Sequence, residues 1–406
     1  MCDLLLIADD LTGTFDCSVA FGSGVEVWTR VPDGLRAQSF AGAAPVVAVN
    51  ADTRHLVPER AAEVVGALVR AALEAGVGTI YKKCDSALRG NVGAELGALH
   101  EVAGGPVWFA PAFPKMGRVT RGGVQYVDGV PVAESALGSD PFEPVRHSAV
   151  AEVIAEQSPV SVRVADRDAV PQPDGDGITV FDAETEGDLR AIARAAWELP
   201  EPRLLAGCAG LSSVLAATGT VAPVEAGGRS VAQGDGLLVF CGSVNPVSQG
   251  QCAHATGAGA PTVTYTDAQK RDDAYLASDE GRAMVRRAAG LWGSVPLAVV
   301  DASDLGGGKG TVVAEDVRAG ICAHLGQAAA RIAKEHGSGD LMVMGGDVLA
   351  AFLAEMGTQA VRMLGEVVPG VVMFTFTHDA ATWRVVSKSG SFGRESLFVD
   401  LAGQVR

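Results

Sequence analysis

The sequence predicts an α/β protein of two lobes, each a largely parallel sheet flanked by helices, with a ligand cleft between them. Three observations carry this expectation. Short apolar runs of strand length alternate with amphipathic or Ala-rich stretches of helical length, the pattern of repeated βα units. After a Pro-, Gly- and Asp-rich stretch at 171–177, the clearest break in the alternation falls at 219–236, which holds five Gly, one Pro and no apolar periodicity. The alternation then restarts, and 406 residues is the length of two ordinary domains. The expected boundaries are therefore 1–220 and 236–406, joined by a linker at 221–235.

In the first lobe the strand candidates are 4–8, 46–50, 78–82, 107–110 and 160–164. Between the second and third lies a helix at 58–75, where Ala61, Val64, Val65, Leu68, Val69 and Leu73 recur at helical spacing. In the second lobe strands are expected at 237–240, 262–265, 297–301 and 341–344. Helices are expected from 247, at 272–289 and at 314–336.

Composition excludes several classes. Hydrophobic residues make up 48% of the chain, enough for buried cores. Thirty-two basic against 48 acidic residues give a net charge of −16, the wrong sign for a reader of nucleic-acid backbone. The first residues lack a basic n-region, and Asp9 and Asp10 cut the opening apolar run short, so no secretory leader or membrane span is expected and the location is cytoplasmic. The seven cysteines are odd in number and scattered, and the seven histidines show no ligand spacing. Neither a disulfide framework nor a dedicated metal site is expected.

The residues suited to chemistry sit where strands hand over to helices, the side on which open α/β sheets bind ligands. The first group is ADDLTGT at 8–14. Its paired carboxylates, Asp9 and Asp10, suit a polyol, water-held Mg²⁺ or proton abstraction; alternatively one caps a helix and the other is solvated. The second is YKKCDSALRGN at 81–91. Arg89 can fork onto a carboxylate while Lys82 or Lys83 serves as a point charge, the bland alternative being a solvated turn. The third is PAFPKMGR at 111–118, a loop with Arg118 as a candidate anion clamp. Because charges are screened over about 8 Å, Arg30, Lys82, Lys83, Arg89 and Arg118 can form an anion site on an acidic protein.

Three small-residue segments mark the second lobe: CGSVNPVS at 241–248, VMGGD at 343–347 and SKSGSFG at 387–393. Glycine lets backbone N–H groups approach a phosphate, and helix N-termini add a favourable dipole. The stretch GGGKGT at 306–311 resembles a P-loop, but the leading Gly is Ser303 and Gly310 separates Lys309 from Thr311, so it reads as a surface loop. Gly22 and Gly24 lack the remainder of a dinucleotide fingerprint, which counts against a dehydrogenase.

In this order, the segments resemble the four-carbon acid sugar kinases, a family marked by ADDxTG, YKKxDSxLRGN, PAFPxxGR, GSxSPxT, GGDT and KSGxFG-like elements. The resemblance spans nearly the whole chain. It implies ATP-dependent phosphorylation, assisted by Mg²⁺, of the terminal hydroxyl of a sugar acid such as threonate, erythronate or 3-oxotetronate. It puts Asp9, Asp10, Lys82, Asp85, Ser86 and Arg89 on the acid side, and Ser243, Gly345, Gly346, Asp347 and Gly390 on the ATP side. One of Asp9 and Asp10 is expected to act as base or orienter, with Asp85 the second candidate.

The chain departs from the pattern where Val348 replaces the Thr of GGDT, Asn245 a Ser and Ser248 a Thr. Val348 lacks a hydroxyl that could touch phosphate or a metal-bound water. A non-catalytic regulator binding acid and nucleotide is the alternative these changes leave open. A homodimer is the expected assembly.

Overall fold

The computed structural model describes residues 2–139, 144–165, 176–219, 236–303, 315–388, 390 and 392–403. The 221–235 linker, the 306–311 segment, Ser389 and Ser391 lie outside them. The chain separates into two units, 1–225 and 226–406.

Among its described residues the first unit has eleven strands: β1 (Leu4–Ala8), β2 (Glu26–Trp28), β3 (Val46–Asn50), β4 (Thr79–Lys83), β5 (Val107–Ala110), β6 (Arg118–Arg121), β7 (Val124–Val127), β8 (Val130–Pro131), β9 (Val162–Ala165), β10 (Ile178–Phe181) and β11 (Arg203–Gly207). Its helices are α1 (Leu11–Ser18), α2 (Pro58–Glu74), α3 (Val92–Ala103), α4 (Val150–Ala155), α5 (Glu186–Trp197) and α6 (Ala209–Thr218). Eight strands form one sheet in the order β2-β3-β1-β4-β11-β5-β10-β9, and every pairing is parallel. β1, β3 and β4 are buried along their whole length; β1 and most of β3 are the apolar runs expected of a doubly covered sheet, while β4 ends on two buried lysines. α2 starts on Pro58, whose missing N–H costs nothing in a first turn, and buries Ala61, Val65, Leu68, Val69 and Ala72.

The third expected strand lies one residue later, at Thr79–Lys83, so both lysines belong to β4. The segment read as a loop ending at Arg118 gives way to a small antiparallel sheet, β6-β7-β8, with Arg118 its first residue. Its strands are four residues or fewer, too short to show alternation.

The second unit contains β12 (Leu237–Cys241), β13 (Thr262–Thr264), β14 (Leu297–Asp301), β15 (Asp340–Met344), β16 (Ala360–Val368), β17 (Val371–His378) and β18 (Ala381–Lys388). The helices are α7 (Pro246–Gly257), α8 (Asp267–Arg271), α9 (Asp279–Leu291), α10 (Glu315–His336), α11 (Gly346–Glu355) and α12 (Leu397–Gly403). β13-β14-β12-β15-β18 run parallel, then β18-β17-β16 close the sheet as an antiparallel meander. That meander has no counterpart in the sequence reading. The expected helix at 272–289 is instead α9 alone, because the Ser278 hydroxyl accepts from Gly281 N at 3.0 Å and starts a new helix there. Among the described residues no helix is long and apolar enough to cross a membrane.

In each unit the chain first builds to one side of its opening strand and then crosses to the other. The reversal falls between β1 and β4 in the first unit and between β12 and β15 in the second. Such switch points are where doubly wound sheets open a crevice at their carboxyl ends.

Packing beside the first crevice is close. A Cβ on Gly93 of α3 would stand 2.4 Å from the carbonyl oxygen of Ile154 and 2.9 Å from its Cα, both backbone atoms of α4. Gly93→Ala is expected to destabilise the fold by about 1–3 kcal/mol, the cost of overpacking, measured by denaturant or thermal unfolding.

Candidate active site

The first crevice is organised by the carboxyl ends of β1, β3 and β4. Asp9 follows β1 directly and is 2% exposed. Its Oδ2 accepts from Arg54 Nε at 2.7 Å and lies 2.7 Å from Arg54 Nη2, while its Oδ1 accepts from Lys83 Nζ at 2.8 Å. Burial opposes ionisation, but the charges of Arg54, Lys83 and Lys82 outweigh it and hold the carboxyl far below the usual range. Asp10 is more open, with 28% of its side chain exposed. Its Oδ1 alone gathers Lys83 Nζ at 2.8 Å, Arg54 Nη2 at 3.0 Å and Gly13 N at 3.1 Å. Asp10 therefore caps α1, as one alternative had it, but Asp9 is paired and buried rather than solvated.

Gly13 is required by this packing, since a Cβ there would lie 2.0 Å from Lys83 Nζ. The lysine crosses over the first turn of α1 to reach both carboxylates, and burial fails to neutralise it because Asp10 and Asp9 raise its pKa.

Lys82 turns away from the crevice. It is fully buried, 2.9 Å from Glu95 Oε2, and also donates to the Lys83 carbonyl at 2.6 Å. Its expected place on the acid side is therefore taken up by contacts within the fold, to Glu95 and the Lys83 carbonyl. Glu95 also accepts from the Thr53 hydroxyl. Asn91 stands at the start of α3, where a capping role is ordinary, yet its amide donates to Thr53 O and Leu56 O at 2.8 Å each. Gln157 Oε1 takes the capping place, accepting from Gly93 N at 2.9 Å. The loop carrying Arg54 is thus fixed by α3 and by Asp9 O, which accepts from the Thr53 and Arg54 N–H groups.

Asp85 and Arg89 form a fork within one turn, Nε to Oδ2 at 2.8 Å and Nη2 to Oδ1 at 3.1 Å. Burial again opposes ionisation, and the Arg89 charge prevails, so Asp85 stays ionised well below the usual range. Ser86 is half-buried beside them, its carbonyl accepting from Gln125 Nε2 at 2.8 Å. Arg118 Nε is buried without a hydrogen-bond partner among the described residues. Arg30 is not brought to the cluster: its ion pair, at 3.6 Å, is with Asp33 on an exposed turn, because β2 ends two residues earlier.

A pocket of about 360 Å³ opens against this loop system, lined by Arg54, Leu88, Arg89, Asn91, Arg146 and His147 among others. Arg146 lies 3.6 Å from Glu156, and His147 3.3 Å from Glu152. Arg54, Glu95, Arg146 and His147 were missed in the sequence. Arg54 carried a weak signal, as it lies in the loop four residues after β3 ends at Asn50; Arg146 and His147 carried none.

In the second unit the loops after β12 and β15 flank the switch point, with Gly242 N donating to Met344 O at 3.0 Å. Asn245 caps α7, its Oδ1 accepting from Val247 N at 3.0 Å. Ser243 precedes it, half-buried. Gly345, at φ 102°, leads into α11, which begins with Gly346 and Asp347. Asp347 is exposed and ion-paired with Arg318. Val348 is 1% exposed and packs against Gly242, so position 348 serves packing here and is not presented to a ligand. Gly390 joins the group: its carbonyl accepts from Lys388 Nζ at 2.8 Å and Ser248 Oγ at 3.1 Å. Burial lowers the Lys388 pKa to about 8, against the pull of the Cys241 and Cys252 thiols.

Removing Glu95 would leave Lys82 buried without a counter-charge. Glu95→Ala is expected to cost about 3–5 kcal/mol in unfolding free energy, and the double change Lys82→Met with Glu95→Leu to recover most of it.

Two family profiles match the chain: "Sugar-binding N-terminal domain" over 4–215 and "Nucleotide-binding C-terminal domain" over 238–398. A D-threonate kinase of Bordetella bronchiseptica is 32% identical, covering 99% of this chain and 97% of the relative. A D-threonate kinase of Salmonella typhimurium is 30% identical over 98% and 97%. Relatives matching shorter stretches are named D-erythronate kinase, in Heliobacterium modesticaldum, and 3-oxo-tetronate kinase, in Methylobacterium radiotolerans. A crystal structure from Salmonella typhimurium shares the fold at a TM-score of 0.78 and 22% identity, covering 98% of each chain. The chain belongs to the four-carbon acid sugar kinase family and is a phosphotransferase that acts on an alcohol group of a small sugar acid.

Proposed function

We propose that the enzyme transfers the γ-phosphoryl group of ATP to the terminal hydroxyl of a four-carbon sugar acid. Residues 1–220 take the acid and 236–406 the nucleotide. The observation that carries this reading is the pair of unlike carboxylates after β1. Asp9 is saturated and buried, while Asp10 is held through one oxygen and remains partly exposed. Asp10 is the residue that orients the acceptor hydroxyl and takes its proton. Asp9 is the positioning residue that fixes Arg54 and Lys83. Asp85, forked by Arg89 and also within 3.3 Å of the Ala87 and Arg89 N–H groups, has little capacity left for a substrate proton.

The acid's carboxylate belongs in the arginine-lined pocket, where partly exposed Arg89 and exposed Arg146 can exchange their own carboxylate partners for it. Anchoring that end leaves the far hydroxyl free to be aimed. As its oxygen bonds to the γ-phosphorus, the bond to the β–γ bridging oxygen breaks and ADP leaves. In the second unit the N–H groups after β12 and β15, at the starts of α7 and α11, suit phosphate oxygens. Mg²⁺ needs oxygen donors, and Asp347, an exposed carboxylate at the start of α11, fits that need directly or through water. The ion would neutralise charge on the phosphates.

The test is ADP release from Mg-ATP with D- and L-threonate, D- and L-erythronate and 3-oxotetronates. One acid should drive release. Silence across the panel, with ATP still binding by calorimetry, would remove these acids as substrates. With the active acid, Asp10→Asn should lower kcat about 100-fold or more, and Arg89→Ala should raise KM more than it lowers kcat. Near-normal turnover in Asp10→Asn would take the base role from Asp10.

A further inference from the structure

We propose that Cys241, Cys252 and Asp301 form a binding site for one thiophilic divalent ion of the Zn²⁺ class. Cys241 ends β12 and Asp301 ends β14, and the two are register partners in a parallel pair, so their side chains share one face of the sheet. Cys252, on α7, covers that face. One ligand atom from each lies within 4.8 Å of the other two. Two sulfurs bound to zinc at about 2.3 Å in a tetrahedral shell stand about 3.8 Å apart, so closing the set needs only a small contraction. The fourth position is left to water.

Two further features favour a metal over an accidental gathering. Asp301 is already oriented: its Oδ1 accepts from Ser303 N at 3.0 Å and Ser303 Oγ at 2.7 Å, the outer-shell support that metal-bound carboxylates usually have. Both thiols are buried, at 0% and 1% exposure, which keeps competing solvent away.

The donor set selects the ion class. Mg²⁺ prefers oxygen and keeps its waters, so two sulfurs distinguish this site from any Mg-nucleotide site. The ligands are eleven and 49 residues apart and follow no metal motif, so spacing alone does not reveal them. Bound metal would tie α7 to the ends of β12 and β14, beside the loop at 242–245.

The full chain, stripped with a chelator and kept reduced, is titrated with Co²⁺ and then Zn²⁺. A thiolate-to-cobalt charge-transfer band should saturate at one equivalent and be abolished by Zn²⁺. Cys252→Ala should remove most of the band. Ser303→Ala should keep it but weaken binding by about 10- to 100-fold. Circular dichroism checks that each variant is folded, and if Cys241→Ala does not fold, the other two carry the test. No band in folded wild-type protein, or a band unchanged in Cys252→Ala because another thiol such as Cys322 provides it, overturns the proposal.

Discussion

The Asp9 carboxylate, buried between Arg54 and Lys83, is the constraint on which the first unit's site depends. A carboxylate 2% exposed cannot remain ionised unless cations and N–H groups replace the water it has lost. Arg54 and Lys83 meet that need, and their own placement then follows. Lys83 must cross Gly13, so no side chain is tolerated there. Arg54 must leave β3 at a set angle, so its loop is fixed by the Asn91 amide, the Thr53 hydroxyl and the Asp9 carbonyl. Below these, Lys82 and Glu95 form a second closed pair that ties β4 to α3.

The cations do not amount to a free anion site. Arg54 and Lys83 balance Asp9 and Asp10, Arg89 balances Asp85, and Lys82 balances Glu95. The expectation of loose positive groups on an acidic protein therefore gives way to a nearly neutral, tightly hydrogen-bonded frame. In the proposed binding mode an incoming carboxylate would exchange partners with the more exposed arginines, and an acid whose length and hydroxyls replace the lost bonds would be favoured.

The sequence made the architecture legible where the physics is local. Apolar runs and the 58–75 periodicity located strands and helices, because a doubly covered strand and an amphipathic helix each write their burial into consecutive residues. The β16–β18 meander escaped because its residues mix burial and exposure without strict alternation. In the site, Asp9, Asp10, Lys83, Asp85 and Arg89 were visible as strand-end polar groups. Lys82 and Lys83 look equivalent in the sequence, but adjacent strand residues point to opposite faces, and it is Lys83 that reaches Asp9 and Asp10 while Lys82 pairs with Glu95. Arg146 and Glu95 approach the cluster through tertiary packing alone, which no spacing records.

Val348 shows how a departure from a motif should be weighed. Read as text, it removes a hydroxyl from a phosphate-binding signature. In the fold, the side chain is 1% exposed and fills the space beside Gly242, whose own Cβ would approach Val348 Cγ2 to 2.8 Å. The backbone of 345–347 presents the N–H groups, and the residue at 348 decides how closely the loops after β12 and β15 pack. A β-branched apolar side chain of nearly the same shape as Thr preserves that packing. The replacement therefore bears on the spacing between two backbone loops, and the phosphate contacts proposed for their N–H groups would not need the hydroxyl.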